Sequence, residues 1–465
     1  MQLGDLLDDL TLDIVTSSIE VERVEIHSQL CEARTLFFAM PGTHAHGVEF
    51  ASDAVARGAV AIVASEPLAC EVPVVMVPAS QLRTLVAHAS AAVVGHPEYE
   101  VDLVGVTGTN GKTSVTTLVA ELARAIGWNA ANIGTLTSER TTPASPELFR
   151  TLRHLVDGFD PSKPRSVIAL EVSSHALDQA RVEGLRFAVG AFTNLGHDHL
   201  DYHETMEKYF EAKARLFTSE YIQRGVVWCD DPYGRRLADS SKMALTCVSR
   251  SEATDVEGSL TGTRFFWRQH VVSTSLVGDY NVDNALMAMS ALGALGAPSD
   301  MVAAAMSDVR GVPGRFEVVH SNDVVVIVDY AHTPEGLQRL LGDVRALAGA
   351  ARIITVFGCG GDRDQAKRPQ MGAVATSLSD LTIVTSDNPR SESPDAIIDA
   401  IMSGTAPDAR VQRIVDRRAA IAEALGGAVR GDVVVIAGKG HETTQTIGDV
   451  VAAFDDRQVA RELLR

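Results

Sequence analysis

The chain has 465 residues, a formal charge of −19, 46% apolar residues and 22% charged ones. Such a length calls for two to four domains, and such a balance belongs to a globular chain rather than a disordered one. An acidic surplus without basic runs or aromatic-interleaved basic patches argues against nucleic acid or an anionic membrane as partner, while leaving room for a phosphorylated small molecule in a local cationic pocket. Cys31, Cys70, Cys229, Cys247 and Cys359 are scattered and free of metal-type spacing, which predicts reduced thiols. The start Met1–Asp9 is acidic, unlike a signal peptide, and no apolar run approaches the roughly 20 residues that span a bilayer. A cytoplasmic location is expected.

Along the first hundred residues, strand-like runs at Thr35–Ala39 and Ala59–Val63 alternate with helical stretches at Phe50–Arg57 and Leu82–Val93, closed by the linker Gly95-His96-Pro97. A second α/β block opens with the apolar run Asp102–Val106, then Thr107-Gly108-Thr109-Asn110-Gly111-Lys112-Thr113-Ser114, then a stretch of helical period from Val115 to Leu122. A glycine-rich turn between strand and helix points backbone N–H groups and a helix N-terminus at phosphate oxygens. Lys112 is placed to reach the β- and γ-phosphates, and the Thr113 hydroxyl to sit on Mg²⁺. The spacing departs from the strict phosphate-loop form, because Val106 stands where a glycine is expected. The block includes the strand Ser166–Leu170 and runs to Val312-Pro313-Gly314. A third block alternates strand-length runs (Val324–Val328, Ile353–Phe357, Leu381–Thr385, Val433–Ile436) with helical patterns at Pro334–Leu347 and Pro394–Met402. That pattern predicts a Rossmann-like parallel sheet covered on both faces, but without the Gly-x-Gly-x-x-Gly turn of dinucleotide sites. The division expected is 1–98, 99–312 and 313–465.

Glu171 follows directly on an apolar strand, where a carboxylate is placed to bind nucleotide Mg²⁺; a solvated strand-end acid is an equal alternative from the residue alone. Ser174 and His175, read as strand neighbours, point to opposite faces and form no nucleophile–base pair. Asn194–His203 packs three histidines and two aspartates into ten residues. A metal role is reasonable there, with zinc disfavoured by the lack of a cysteine ligand. Tyr209–Phe217 reads as an amphipathic helix on which Lys213, taken alone, is a snorkelling surface lysine.

Together these residues resemble the Mur ligases, ATP-dependent enzymes that add amino acids to the peptidoglycan precursor. The resemblance is carried by Gly108–Thr113, Thr141-Thr142-Pro143, Glu171–His175, Asp198–Asp201, Asn281–Asn284, Asp329–Pro334, Gly358–Asp364, Asp387–Arg390 and Gly438–Glu442, in order over the whole chain. It is nearest to the branch that adds the third residue to UDP-N-acetylmuramoyl-dipeptide. It implies a three-domain α/β architecture: an N-terminal UDP-binding domain, a central phosphate-loop ATPase domain and a Rossmann-like C-terminal amino-acid-binding domain. The implied reaction turns ATP into ADP and phosphate while a peptide carboxylate becomes an acyl phosphate and then an amide. Carried over, Lys112, Glu171, His199 and Lys213 are catalytic, and Thr113, Glu171, His199 and Lys213, the last as a carbamate, hold Mg²⁺. Gly108, Thr109, Asn110, Gly111, Lys112, Thr113, Ser114, Asn281, Asn284, Arg315 and Asp329 match the ATP positions.

Thr141, Thr142, Ser173, Gln179 and Arg181 match contacts to the muramoyl-dipeptide. The uridine end is looser: His27-Ser28-Gln29 replaces the family's Asp-Ser-Arg, Ser28 alone surviving, and Thr43, His44 and Ala45 fall at the second uridine turn. Arg363, Asp387, Asn388, Pro389, Arg390, Gly438 and Glu442 address the amino acid. The Asp-Asn-Pro-Arg form goes with meso-diaminopimelate, whose distal carboxylate and ammonium suit Arg390 and Glu442. The resemblance thus implies small-molecule substrates, no nucleic acid or membrane, and a monomer whose domains close to assemble the site. Alternatives are a Mur-like ligase for L-lysine or another amino acid, and a catalytically silent nucleotide-binding regulator. A folylpolyglutamate synthase is disfavoured by the domain that precedes the phosphate loop.

Overall fold

Val106, the residue that breaks the phosphate-loop spacing, lies inside a buried strand, and the computed structural model shows the strand ending one residue later, at Thr107. The structure describes residues 1–465 apart from 8, 9, 11, 12, 43, 44 and 139, and at Ser321 the backbone alone. The chain forms two compact units, Met1–Glu252 with Asp283–Ala305, and Ala253–Val282 with Met306–Arg465.

The first unit opens with a parallel sheet of β1 (Arg23–Glu25), β2 (Thr35–Ala39), β3 (Ala59–Ala64) and β4 (Val74–Met76), in that spatial order. Along β2 the side chains alternate: Leu36 and Phe38 join Leu82, Val86 and Ala89 of the helix Ala79–Val93, and Phe37 and Ala39 face Ala51, Ala54 and Ile62 on the other side. Both faces are dry, which is why the run is apolar throughout.

The second sheet joins β5 (Asp102–Thr107), β6 (Asn129–Ile133), β7 (Ser166–Glu171), β8 (Phe187–Phe192), β9 (Ile222–Trp228) and β10 (Leu245–Val248) in the order β10-β9-β8-β5-β7-β6, all parallel. The chain fills the β6–β7 side first and then crosses to β8 on the other side of β5. The carboxyl end of β5 therefore lies at the reversal of strand order, where open α/β sheets bind ligands. At the β9–β10 edge the expectation of reduced cysteines fails. Cys229 and Cys247 are joined by a disulfide, their Cα atoms 5.5 Å apart. The pairing Cys229 N–H to Val248 C=O brings together two thiols that are 18 residues apart in sequence, a proximity that spacing alone does not display. Cys31, Cys70 and Cys359 are free.

In the second unit, β11 (Ala253–Ser259), β12 (Gly262–Trp267) and β13 (His270–Thr274) form an antiparallel meander. The main sheet orders β14 (Glu317–Ser321), β15 (Val325–Asp329), β16 (Ile353–Phe357), β17 (Leu381–Val384), β18 (Val411–Arg413) and β19 (Val433–Ala437) as β14-β15-β19-β16-β17-β18. Only the edge strand β14 is antiparallel. Its central strands are buried on both faces, Val433 and Val435 in one cluster and Val434 and Ile436 in the other. A hairpin, β20 (Thr444–Ile447) and β21 (Val450–Ala453), follows.

Candidate active site

The turn after β5 has the shape of an anion cradle. Gly108 and Gly111 adopt φ of +150° and +85°, and Gly111 caps the helix Lys112–Ala125 with no side chain of its own. A Cβ at Gly108 would collide with the Thr193 hydroxyl, and one at Gly111 would stand 2.7 Å from the Asn284 amide oxygen, so the turn must be glycine. The Asn110 N–H donates to Asn194 Oδ1 at 3.0 Å, and the Asn110 carbonyl accepts from the Thr193 hydroxyl at 2.6 Å. Ser114 follows in the first helical turn. Lys112 Nζ turns back onto the carbonyls of Gly108 (2.8 Å) and Thr109 (2.9 Å), and burial pulls its pKa down against the opposing pull of Glu171 and Asp198. With no carboxylate in direct contact among the described residues, this ammonium is available to an anion.

Glu171, at the end of β7, is buried, and burial pushes its pKa up although four groups favour its charged form. It accepts from the Thr113 hydroxyl (3.1 Å) and from the Thr135 N–H (2.9 Å). The solvated strand-end alternative is therefore wrong. Lys213 is buried too, not a snorkelling surface lysine. The helix Met206–Ala214, capped by the Thr205 side chain, turns Lys213 inward, and its Nζ donates to the Gly108 carbonyl at 2.8 Å. Burial, and then the neighbouring Lys112 charge, hold its pKa well below 10.5. Tyr209 ties these pieces together: its hydroxyl meets Thr109 Oγ1 at 3.2 Å, and its ring has Lys213 Nζ 4.7 Å from the centroid. His199, at φ +53°, approaches the Tyr209 ring edge-on at 6.1 Å and His175 at 4.9 Å. Ser174 and His175 lie on the short helix Ser174–Asp178, not on a strand, and Ser174 Oγ meets His203 Nε2 at 2.9 Å. Among the described residues no group of three His, Cys, Asp or Glu side chains is arranged as a metal cage. The adjacent oxygens of Thr113 and Glu171 are a hard pair of the kind Mg²⁺ takes beside phosphate oxygens and water.

Around Glu171 the expected dipeptide residues converge. Thr142 Oγ1 donates to the Glu171 carbonyl (2.7 Å) and accepts from the Ser173 N–H (3.0 Å). Arg181 donates to the Thr142 carbonyl at 2.9 Å and from Nε to Gln179 Oε1 at 3.1 Å. Thr141 joins through Thr135, hydroxyl to hydroxyl at 3.3 Å. Ser28 is buried beside β1 and bonds Asp53, whose carboxyl it holds below the usual range. Ala45 lies just before the bridge residue His46, and Thr43 and His44 lie outside the described residues.

In the second unit, Asp329 ends β15 and accepts from the N–H groups of Phe316 and Ala331, both at 2.7 Å; burial raises its pKa. The Arg315 guanidinium lies 4.6 Å over the Tyr330 ring, and Asn281 Nδ2 donates to the Val277 carbonyl at 2.7 Å. The Asp387–Arg390 turn is clamped by the hairpin. Arg390, at φ +53°, donates its N–H to Thr446 and accepts from the Gly448 N–H, while its guanidinium reaches the Gly361 carbonyl at 2.8 Å. A Cβ at Gly360 would stand 3.1 Å from Arg390 Nη1 and 3.9 Å from Arg363 Cγ, so that glycine leaves room for both cations. Asn388 Nδ2 donates to Glu442 Oε2 at 2.8 Å. Pro389 faces Gly361, and Gly438, at φ +115°, would press any Cβ to 3.2 Å from Asp387 Oδ2. Burial raises the Asp387 pKa, with Arg417 and Lys439 opposing. Tyr209, Thr135 and Lys439 escaped the sequence reading. Only Tyr209, four residues before Lys213 on one helix face, carried a usable signal.

Family models match residues 106–292 (Mur ligase middle domain), 314–440 (Mur ligase, glutamate ligase domain) and 20–125 (Mur ligase family, catalytic domain). The chain is 41% identical over 475 residues to the UDP-N-acetylmuramoyl-L-alanyl-D-glutamate–2,6-diaminopimelate ligase of Thermosynechococcus vestitus, covering 96% of this chain and 93% of that one. It is 42% identical to the ligase of the same name from Geobacillus kaustophilus, covering 96% and 95%. A solved structure of a ligase of that name superposes with a TM-score of 0.73 at 29% identity, over 100% of this chain and 98% of the other. The MurF ligase from Thermotoga maritima in complex with ADP shares the fold, with a TM-score of 0.59 at 16% identity over 95% and 96%. With matches of this extent laid over a glycine cradle, a buried Glu171 and a clamped Arg390, the chain belongs to the Mur ligase family.

Proposed function

We propose that the protein is an ATP-dependent acid–amino-acid ligase of peptidoglycan synthesis that joins meso-diaminopimelate to UDP-N-acetylmuramoyl-L-alanyl-D-glutamate. The observation that carries the choice of amino acid is that one unit holds both a hairpin-clamped Arg390 and, through Asn388 of the same turn, an oriented Glu442 carboxylate. A distal carboxylate and a distal ammonium on the same substrate satisfy both, whereas L-lysine leaves the guanidinium without a counter-charge.

In this reading the domains 1–98, 99–312 and 313–465 carry the UDP end, ATP and the amino acid. Amides of Gly108–Gly111 and the Lys112 ammonium hold the ATP phosphates, with Asn281, Asn284, Arg315 and Asp329 around the nucleotide. The dipeptide carboxylate, oriented by Thr142, Ser173 and Arg181, takes the γ-phosphoryl group and ADP leaves. The amine of the incoming amino acid then attacks the acyl carbon, and phosphate departs as the amide forms. Charge neutralisation by Lys112 and the loop amides serves both steps, since negative charge builds on oxygen in each. Mg²⁺, held by Thr113, Glu171 and His199, would add further neutralisation of phosphate oxygens. Lys213, whose amine burial biases toward the neutral form, suits carbamate formation, in which nitrogen bonds CO₂ and loses a proton to give a further carboxylate ligand. A monomer in the cytoplasm fits this role.

The test is phosphate release with ATP, the UDP-linked dipeptide and one of meso-diaminopimelate, L-lysine or L-ornithine. Release that depends on meso-diaminopimelate is expected; equal efficiency with L-lysine would remove the assignment of amino acid while leaving the ligase.

A further inference from the structure

Lys439 is fully buried, yet neither the nucleotide nor the amino-acid reading gives it a task. An ammonium is costly to bury unless every donor is met and its charge is balanced. Both conditions hold. Nζ donates to the Thr444 carbonyl at 2.7 Å, Glu442 Oε2 at 3.1 Å and Asn388 Oδ1 at 3.2 Å, and Asp387 Oδ1 lies 3.5 Å away. That aspartate oxygen has no hydrogen bond of its own, so the lysine is its nearest counter-charge. The backbone is shaped for the purpose. Gly438 and Gly440, at φ +115° and +52°, reverse the chain immediately after β19, and the Glu442 N–H closes the turn on the Lys439 carbonyl at 2.9 Å.

Asn388 and Glu442 are thereby fixed in orientation. Asn388 Oδ1 accepts from Lys439 and from the Thr446 N–H (3.0 Å), which commits its Nδ2 to Glu442 Oε2. Glu442 Oε2 is thus held by two donors, while among the described residues Oε1 takes no hydrogen bond. We propose that Lys439 is a positioning residue of the amino-acid site: it pins one oxygen of Glu442 so that the other is presented to the distal ammonium of the substrate. The inference rests on the ligase reading above and adds a residue to it. A lysine acting only as a staple for the fold would affect all substrates alike.

The experiment is steady-state kinetics of the full-length enzyme carrying Lys439→Met, Glu442→Gln or both, with each substrate varied in turn. Lys439→Met is expected to raise the KM for meso-diaminopimelate by about tenfold or more, leaving the KM values for ATP and the UDP-linked dipeptide within about twofold. If Lys439 works through Glu442, the double variant is no worse than Glu442→Gln by more than about twofold. An unchanged KM for meso-diaminopimelate, parallel rises in all three KM values, or multiplying effects in the double variant would overturn the inference. Should Lys439→Met fail to fold, Lys439→Arg keeps the charge and displaces it. A folded Lys439→Arg protein with its KM for meso-diaminopimelate raised about threefold supports the proposal, and an unchanged KM overturns it. Wild-type enzyme that releases no phosphate with meso-diaminopimelate would instead overturn the ligase reading, a separate failure visible before any variant is made.

Discussion

The two units bury lysines in opposite ways. Lys112 and Lys213 meet backbone carbonyls around the phosphate loop, with no carboxylate in direct contact among the described residues, and their pKa values fall. Lys439 sits against two carboxylates and an amide, with all its donors matched. The first arrangement leaves its charges without a directly paired carboxylate among the described residues, which suits the phosphate-binding and modified-lysine roles proposed above. The second is complete by itself and works as a frame that orients others. A buried cation therefore needs its counter-charges counted before it is given a role.

The sharpest way to break the contrast is Lys213→Ala. Loss of ligation by about 10²–10³-fold or more is expected, with the circular dichroism spectrum unchanged, because a charge-stabilising group is removed rather than core. Near-normal turnover would return Lys213 to a packing role and erase the difference between the units.

Arg390→Ala addresses the framed side. Leaving the distal carboxylate unpaired costs about 2 kcal/mol or more, so the KM for meso-diaminopimelate should rise on the order of thirtyfold. KM values for ATP and the UDP-linked dipeptide should hold; if they rise in step, Arg390 is maintaining the fold of its turn. A smaller effect belongs to Tyr209→Phe, which removes only the hydroxyl contact to Thr109. Loss of one neutral hydrogen bond, about 1 kcal/mol, predicts a KM for ATP raised roughly fivefold. An unaltered KM would mean that the ring, not the hydroxyl, organises the loop.

The smallest effect is on stability against pH. A lysine whose folded pKa lies below its ordinary 10.5 binds more protons when unfolded, so its contribution is present above 10.5 and lost as pH falls through the folded value. Wild-type protein with Lys213 unmodified should therefore gain stability relative to Lys213→Met as pH rises toward 10.5. Urea unfolding of both proteins at several pH values measures it, and parallel curves would argue that Lys213 is solvated.

Much of this was legible in the sequence because it is written in local pattern. β2 and β16 fall where Thr35–Ala39 and Ile353–Phe357 were read, and the helix Pro394–Met402 matches its expected bounds. Strands dry on both faces and a glycine turn before a helix announce themselves by composition. What stayed hidden depends on partners distant in sequence. The burial of Lys213 depends on the Gly108 carbonyl, 105 residues away, and the Cys229–Cys247 bridge on the parallel pairing of the edge strand β10 with β9. Ser174 was misread as part of the preceding strand because only its N-cap, Ser173, marks the change to helix. Lys439, between two glycines, gave no sign of what its ammonium would touch.

The near contact of Gly314 with Gly440 bears on attempts to re-engineer this enzyme. A Cβ on Gly314 would strike the Gly440 and His441 backbone, and one on Gly440 would stand 2.6 Å from Tyr330 Cβ. The two positions lie 126 residues apart in the chain, yet neither can accept a side chain unless the other segment moves. Directed evolution toward a different amino acid should thus find its productive changes at the tips, in Arg390, Arg363 and the hairpin side chains. Library members that alter either glycine will be lost as misfolded protein before their selectivity can be scored.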